Sequence, residues 1–353
     1  MKGLVLEGGG ARGAFQAGAI KAFEKKKIYF DAAIGTSIGS INAAMYASHN
    51  LDSLYKLWQE TDSKELFDID GKLIYNITKG NFNQKILKKG FHSVVKIIQN
   101  KGIDTYNIRK FLTRHINEKK LRKSNIDYGL ATYNITDRKA IQIYKKDIPE
   151  GKLIDYIIAS SYLPVFKFEK IIDDKYYLDG GVYANCPIDM FTDRDFDEIY
   201  VVKAWRTKLK YKAKKNVKIH IITPRKSLGS IMTFEPDVSR ERFNYGYYET
   251  LRYLDKLDGN NYYFKPYNSK YYDMLFDKRT YNSIVKKYGS IFSTKSKKKF
   301  ILRMIEKVCE DLEIERYKVY NMPYLLTKLK YLMVTRKDNP YYDFVKKIKI
   351  EFI

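Results

Sequence analysis

Residues 31–47 read DAAIGTSIGSINAAMYA, and this stretch sets the expected fold. Asp31 to Gly35 has the length and apolar content of a strand, and Ile38 to Ala47 carries small residues at helical spacing. Between them, Gly35-Thr36-Ser37-Ile38-Gly39 matches the G-x-S-x-G nucleophile elbow, in which flanking glycines let the chain turn sharply from strand to helix and present the serine. A Gly-rich strand-to-helix turn also arises without catalysis, so the pentapeptide needs partners.

Upstream, Gly3 to Glu7 reads as a first strand, Gly8 to Gly13 as a turn and Ala14 to Lys25 as a helix. The resulting βαβα opening predicts an α/β fold of three layers, α/β/α, around a mixed, largely parallel sheet. The turn Gly8-Gly9-Gly10-Ala11-Arg12-Gly13 can direct backbone N–H groups at an anion, as an oxyanion hole would. The same residues satisfy G-x-G-x-x-G through Gly8, Gly10 and Gly13, and Asp31 lies near the distance of a ribose-binding acid, so dinucleotide binding competes. The serine elbow at the end of strand two argues against it.

Downstream, Asp52 is read as a helix N-cap. Residues 61–123 carry helical spacing in pieces such as Gln84 to Ile98 and Asn107 to Ile116, which predicts a helical insertion in a domain of residues 1–254. Strands are expected at Ile126 to Tyr133, Ala140 to Tyr144, Phe168 to Ile172, Glu198 to Ala204 and Val217 to Ile222, with a helix at Gly151 to Ser160. From about residue 255 to 353 the chain turns to Tyr, Lys and amphipathic spacing, as in Phe300 to Leu312, and Lys295, Lys297, Lys298 and Lys299 form a dense basic run. This reads as a basic helical extension.

Asp179-Gly180-Gly181 follows a short strand, Lys175 to Leu178, and places a carboxylate at a strand end; an ordinary Asp-Gly turn has the same sequence. In combination, the Gly-rich turn, the serine elbow and this tripeptide resemble the patatin-like phospholipases over about residues 1 to 250. Ala159-Ser160-Ser161-Tyr162-Leu163-Pro164-Val165-Phe166, Asn185 and Pro187, and Ala131-Thr132 extend the likeness, although Tyr162 stands where the family usually has alanine. The resemblance implies a Ser37–Asp179 dyad, attack on a lipid ester, an acyl-enzyme released by water, and an oxyanion held by the turn, with Gly35, Gly39, Gly180 and Gly181 as supporting glycines. It implies neither histidine, metal nor cofactor. Phospholipase A or lysophospholipase activity is the expected function, and a catalytically weak membrane- or nucleic-acid-binding scaffold is the rival.

The formal net charge of +25 predicts attraction to an anionic membrane surface; no recognition module for nucleic acid is visible. Ser37, Asp179 and His220 also occur in the order of an α/β-hydrolase triad, but His220 sits in an apolar strand, where a sheet-face histidine is the simpler reading. His49, His92 and His115 lie in no motif. Two distant cysteines, Cys186 and Cys309, form neither a disulfide framework nor a metal spacing. No signal peptide or membrane span is read, so a cytoplasmic protein with peripheral membrane contact is expected.

Overall fold

The computed structural model describes residues 1–67, 102–209, 211, 216–291, 294 and 296–350. It divides into two compact units, Met1–Thr250 and Leu251–Ile353.

The first unit is built on a sheet whose strands run in the order β4-β3-β2-β1-β6-β7, with β5 added on β3: β1 Lys2–Leu6, β2 Ala32–Thr36, β3 Asp127–Asn134, β4 Lys139–Tyr144, β5 Tyr177–Asp179, β6 Glu198–Val202 and β7 Lys218–Ile222. The pairs β1–β2, β1–β6, β2–β3 and β6–β7 are parallel, whereas β3 pairs β4 and β5 antiparallel. The central strands are unbroken apolar runs because helices cover both faces: Leu4, Val5, Leu6, Ala32, Ala33 and Ile34 are fully buried. At about 1.5–3 kcal/mol for each large side chain buried, this centre is the main source of the unit's stability.

Helices α1 (Gly13–Lys25), α2 (Ile38–Ala47) and α3 (Leu51–Glu60) follow the first two strands, and every residue of α2 is buried. Its small residues allow that depth. A Cβ on Gly39 would lie 2.2 Å from the Leu6 carbonyl oxygen, so the start of α2 rests directly on the end of β1. The next helices are α4 (Ser63–Phe67), α5 (Tyr106–His115), α6 (Glu118–Lys123), α7 (Leu153–Ser160), the single turn α8 (Gly181–Ala184) and α9 (Pro236–Asp255).

Two expectations fail locally. Phe168 to Ile172 is not a strand: Asp173 and Asp174, both at positive φ, force a tight turn that leaves one bridge, Ile172 to Lys175, and Phe168 is exposed and stacked on Tyr176. Asp52 is not an N-cap, because α3 already begins at Leu51 and Asp52 lies in its first turn. The expected helix Gln84 to Ile98 lies outside the described residues.

In the second unit, α10 (Ser269–Met274), α11 (Lys278–Tyr288), α12 (Lys297–Asp311), α13 (Met322–Met333) and α14 (Tyr342–Lys346) surround their own core. Ile301, Met304, Ile305 and Val308 of α12 and Leu325, Leu326 and Leu329 of α13 are fully buried there. Within the basic run, Lys298 pairs with Asp258 at 2.8 Å and donates to the Tyr267 carbonyl at 2.7 Å, and Lys297 lies 3.5 Å from Asp273. Lys297 and Lys298 are therefore tied into their own unit, and Lys295 lies outside the described residues.

Candidate active site

The sheet register brings Ser37 and Asp179 together. On β3, β4 takes one edge from Gly129 to Asn134, so β2, paired through Thr36–Ala131, and β5, paired through Thr132–Asp179, must share the other edge. Because β2 runs parallel and β5 antiparallel to β3, the two strands meet head to head, and the residue after Thr36 faces Asp179. Gly180 closes that junction: a Cβ there would sit 2.2 Å from the Ala131 carbonyl oxygen and 3.0 Å from the Thr36 methyl.

Ser37 has φ 56° and ψ −131°, a strained conformation for a residue with a side chain, of a kind that costs on the order of 1–3 kcal/mol and concentrates at functional sites. It is nearly buried, as is Asp179. Burial pushes the Asp179 carboxyl above the usual carboxylate range, and hydrogen bonding from the Ser37 side chain and the Gly181 N–H, the latter at 2.7 Å, opposes part of that rise. A carboxylate of raised pKa in contact with a hydroxyl is a stronger base toward it.

The Gly-rich turn divides its amides into two sets. Gly8 N–H donates to Asn185 O at 2.9 Å, Ala11 N–H to Ile231 O at 2.7 Å, Arg12 N–H to Gly9 O at 3.2 Å, and Gly13 N–H to Gly10 O. Among the described residues the Gly9 and Gly10 amides have no acceptor, and Gly10 lines the same cleft as Ser37. Gly10 needs to be glycine: its φ is +54° and a Cβ would lie 2.3 Å from Ile231 O. The Ile38 amide, first in α2, likewise has no helical partner. Sequence reading missed that donor, although the residue after an elbow serine is a usual one.

Arg12 is a brace. Its guanidinium stacks 3.7 Å from the Trp205 ring centre and donates twice to Gly229 O, at 2.9 and 2.6 Å. Behind the turn, buried Glu7 accepts from Lys203 Nζ at 3.1 Å, Ala204 N–H at 2.8 Å and Trp205 N–H at 3.0 Å, while the Trp205 indole donates to Gly8 O at 2.9 Å.

A cleft of about 840 Å³, counted with its open mouth, runs from Ser37, and its walls include Ile41, Trp58, Phe111, Leu163, Met232 and Phe234. No charged side chain lines it among the described residues. The Trp58 indole N–H is engaged by Asn42 Oδ1 at 2.9 Å, so the ring presents an apolar face. Tyr162 is buried, with its hydroxyl 3.2 Å from Glu169 Oε1 and its backbone carbonyl accepting the Asp179 N–H at 2.8 Å; its neighbours Ser161 and Leu163 line the cleft.

Other candidates fall away from this centre. Asp31 precedes β2 and accepts from Lys2 N–H at 2.6 Å, at the opposite end of the strands from the Gly-rich turn, whereas a ribose-binding acid belongs at the same end. His220 on β7 bonds Glu198 at 2.8 Å and stacks on Tyr200, with β6 and β1 between it and β2. His49 approaches Asn125 and His115 packs on Phe111; His92 lies outside the described residues. No group of metal-ligating side chains occurs among the described residues, and no helix among them is long and apolar enough to cross a membrane.

The sequence pattern of the family described as "Patatin-like phospholipase" matches residues 4–192, more than half of the 353-residue chain. The chain belongs to this family. The match takes in the Gly-rich turn, the elbow and the Asp179 turn of the patatin-like fold. The human "Patatin-like phospholipase domain-containing protein 6" is 28% identical over 201 residues, which are 53% of this chain and 12% of that protein. "Lysophospholipase nte1" of Aspergillus terreus is 60% identical over 45 residues, 13% of this chain and 3% of that protein. This patatin-like chain thus spans a small part of the curated relatives it matches. Among solved structures, VipD from Legionella pneumophila aligns with a TM-score of 0.45 and 14% identity, over 95% of this chain and 80% of that one.

Proposed function

We propose that this chain is a serine lipid acyl hydrolase of the phospholipase A or lysophospholipase type. Ser37 is the nucleophile, and Asp179 takes its proton as Ser37 Oγ attacks the ester carbonyl. The N–H groups of Gly9, Gly10 and Ile38 receive the oxyanion, with Gly8, Ala11, Arg12 and Gly13 holding the loop that carries them. Collapse expels the alcohol, which takes the proton from Asp179, and leaves an acyl-enzyme; Asp179 then takes a proton from the attacking water and passes it to Ser37 Oγ as the fatty acid is released. The dyad uses neither histidine, metal nor cofactor.

The observation that carries this reading is the pairing of a strained serine and a buried, raised-pKa carboxylate at the end of an uncharged apolar cleft. Such an apolar cleft suits an acyl chain. Each methylene of an acyl chain that it buries is worth about 0.8 kcal/mol, or roughly fourfold in kcat/KM.

Residues 1–254 would carry the chemistry and 255–353 would form the basic extension. For contact with an anionic membrane, the exposed Tyr324 and Tyr331, on one face of α13, with Val334 beside them offer a better surface than the tied Lys297 and Lys298.

The test is fatty-acid release from a phospholipid and its lysophospholipid by wild type and Ser37→Ala. Release by wild type alone supports the reading; equal release by the folded variant excludes Ser37 as nucleophile.

A further inference from the structure

We propose that Ser160 is the positioning residue that locks the nucleophile turn and the Asp179 turn into one reactive arrangement, a role that rests on the acyl-hydrolase reading above. Ser160 ends α7 and is fully buried. Its hydroxyl is inserted between two strands: the Ser37 N–H donates to Ser160 Oγ at 2.9 Å, and Ser160 Oγ–H donates to Ala131 O at 2.7 Å. Its backbone carbonyl accepts the Gly180 N–H at 3.2 Å. One residue therefore grips the backbone of the nucleophile, the strand behind it and the glycine after the carboxylate.

The need for this grip follows from the elbow itself. Thr36–Ala131 is the last β2–β3 pair, and the positive φ of Ser37 takes the next N–H out of the ladder. That buried N–H requires an acceptor, and the Ser160 hydroxyl supplies one while passing its own proton to the Ala131 carbonyl that the ladder would have used. The bridge N–H to O–H to O=C holds Ser37 in its strained conformation, and the Gly180 bond fixes Asp179 against the same point. Ser160 does not line the cleft, although Ser161 does, and its proton is committed to Ala131. Its action is on the geometry of Ser37 and Asp179, not on substrate.

The experiment compares full-length wild type, Ser160→Ala and Ser48→Ala on a soluble short-chain ester and with a fluorophosphonate probe. Ser48 is the control because it loses an equally buried hydroxyl, bonded to Met45 O at 3.2 Å, from the far end of α2. A misplaced nucleophile predicts a kcat about 10–100-fold lower for Ser160→Ala with KM nearly unchanged, and Ser37 labelling slowed by the same factor. The acid limb of kcat/KM should also move to higher pH, because a looser Ser37 no longer donates fully to Asp179. Ser48→Ala should show none of these changes. A folded Ser160→Ala with wild-type kcat, labelling rate and acid limb overturns the proposal. Should circular dichroism find Ser160→Ala unfolded, Ser160→Cys, which keeps the size and a weak donor, decides: a partial loss of kcat supports the bridge, and wild-type kcat overturns it. Wild type inert to both ester and probe would instead bring down the Ser37 reading, and this role with it.

Discussion

Asp179 and Glu306 are both buried carboxylates, one in each unit, and they are satisfied differently. Glu306 Oε1 accepts three successive backbone N–H groups, from Asn260, Asn261 and Tyr262, at 2.5, 2.6 and 2.9 Å. Among the described residues Asp179 has one backbone donor, Gly181, and a hydrogen bond with the side chain of Ser37. The first group is an anchor for a loop, held by three successive amides. The second is raised in pKa by its burial, which its two hydrogen bonds offset only in part, and it faces a hydroxyl. Glu7, gripped by Lys203 and two amides beside the Gly-rich turn, belongs with Glu306. On the proposed reading, the number and kind of donors around a buried carboxylate separates scaffold from chemistry in this molecule.

Substitution should make the contrast measurable. The largest effect expected is on turnover: Asp179→Asn keeps the shape and the Gly181 bond but cannot take a proton, so kcat should fall by ~10⁴-fold or more, as for Ser37→Ala. Steady-state kinetics on a soluble ester checks both. Glu306→Ala should instead leave ester hydrolysis per folded molecule intact while lowering stability by about 1–3 kcal/mol, since the buried Tyr262 amide and the part-buried bonds to Asn260 and Asn261 lose this acceptor. Urea unfolding of the full chain measures it; a large loss of kcat with unchanged stability would erase the distinction.

Asp179→Asn should be as thermally stable as wild type at neutral pH, or more so, in contrast to Glu306→Ala. The sign follows from linkage: the folded-state pKa of Asp179 lies above its unfolded value, so its contribution to stability falls as pH rises from the unfolded pKa, about 3.9, through the folded one. A marked drop in Tm for Asp179→Asn would mean that the carboxylate is an anchor after all. Because the ionised form is the base, activity should rise with pH along an acid limb set by Asp179, above the range of an ordinary aspartate. A limb at the ordinary value would contradict the raised pKa.

Much of the sheet and the glycine-flanked turns that carry Ser37 and Asp179 was legible in the chain because the signals are local. Leu4 to Leu6 and Ile199 to Val202 are strands buried on both faces, which sequence expresses as unbroken apolar runs, and the elbow announces itself by its two glycines, Gly39 lying against the end of β1 and Gly35 against the start of α2. The strand expected at Phe168 to Ile172 misled because its apolar ends mimic a strand while the two following aspartates set the backbone. What remained hidden depends on partners far along the chain. Nothing near Gly8 to Gly13 tells that the Gly8 and Ala11 amides are taken, since their acceptors are Asn185 and Ile231. Ser160 and Ser161 look alike in sequence, yet only the first meets Ser37, 123 positions away. Likewise Lys297 and Lys298 read as a surface run, and only the fold reveals Asp273 and Asp258 opposite them.

The central claim is that Asp179 activates Ser37. Intact-mass analysis after treatment with a lipid-like fluorophosphonate, with the adduct mapped by peptide sequencing, tests it most directly on wild type, Ser37→Ala and Asp179→Asn. The structure predicts one adduct on Ser37 in wild type, none in Ser37→Ala and labelling slowed by orders of magnitude in Asp179→Asn. An adduct on another residue, or labelling of Ser37 at an equal rate in folded Asp179→Asn, would contradict it.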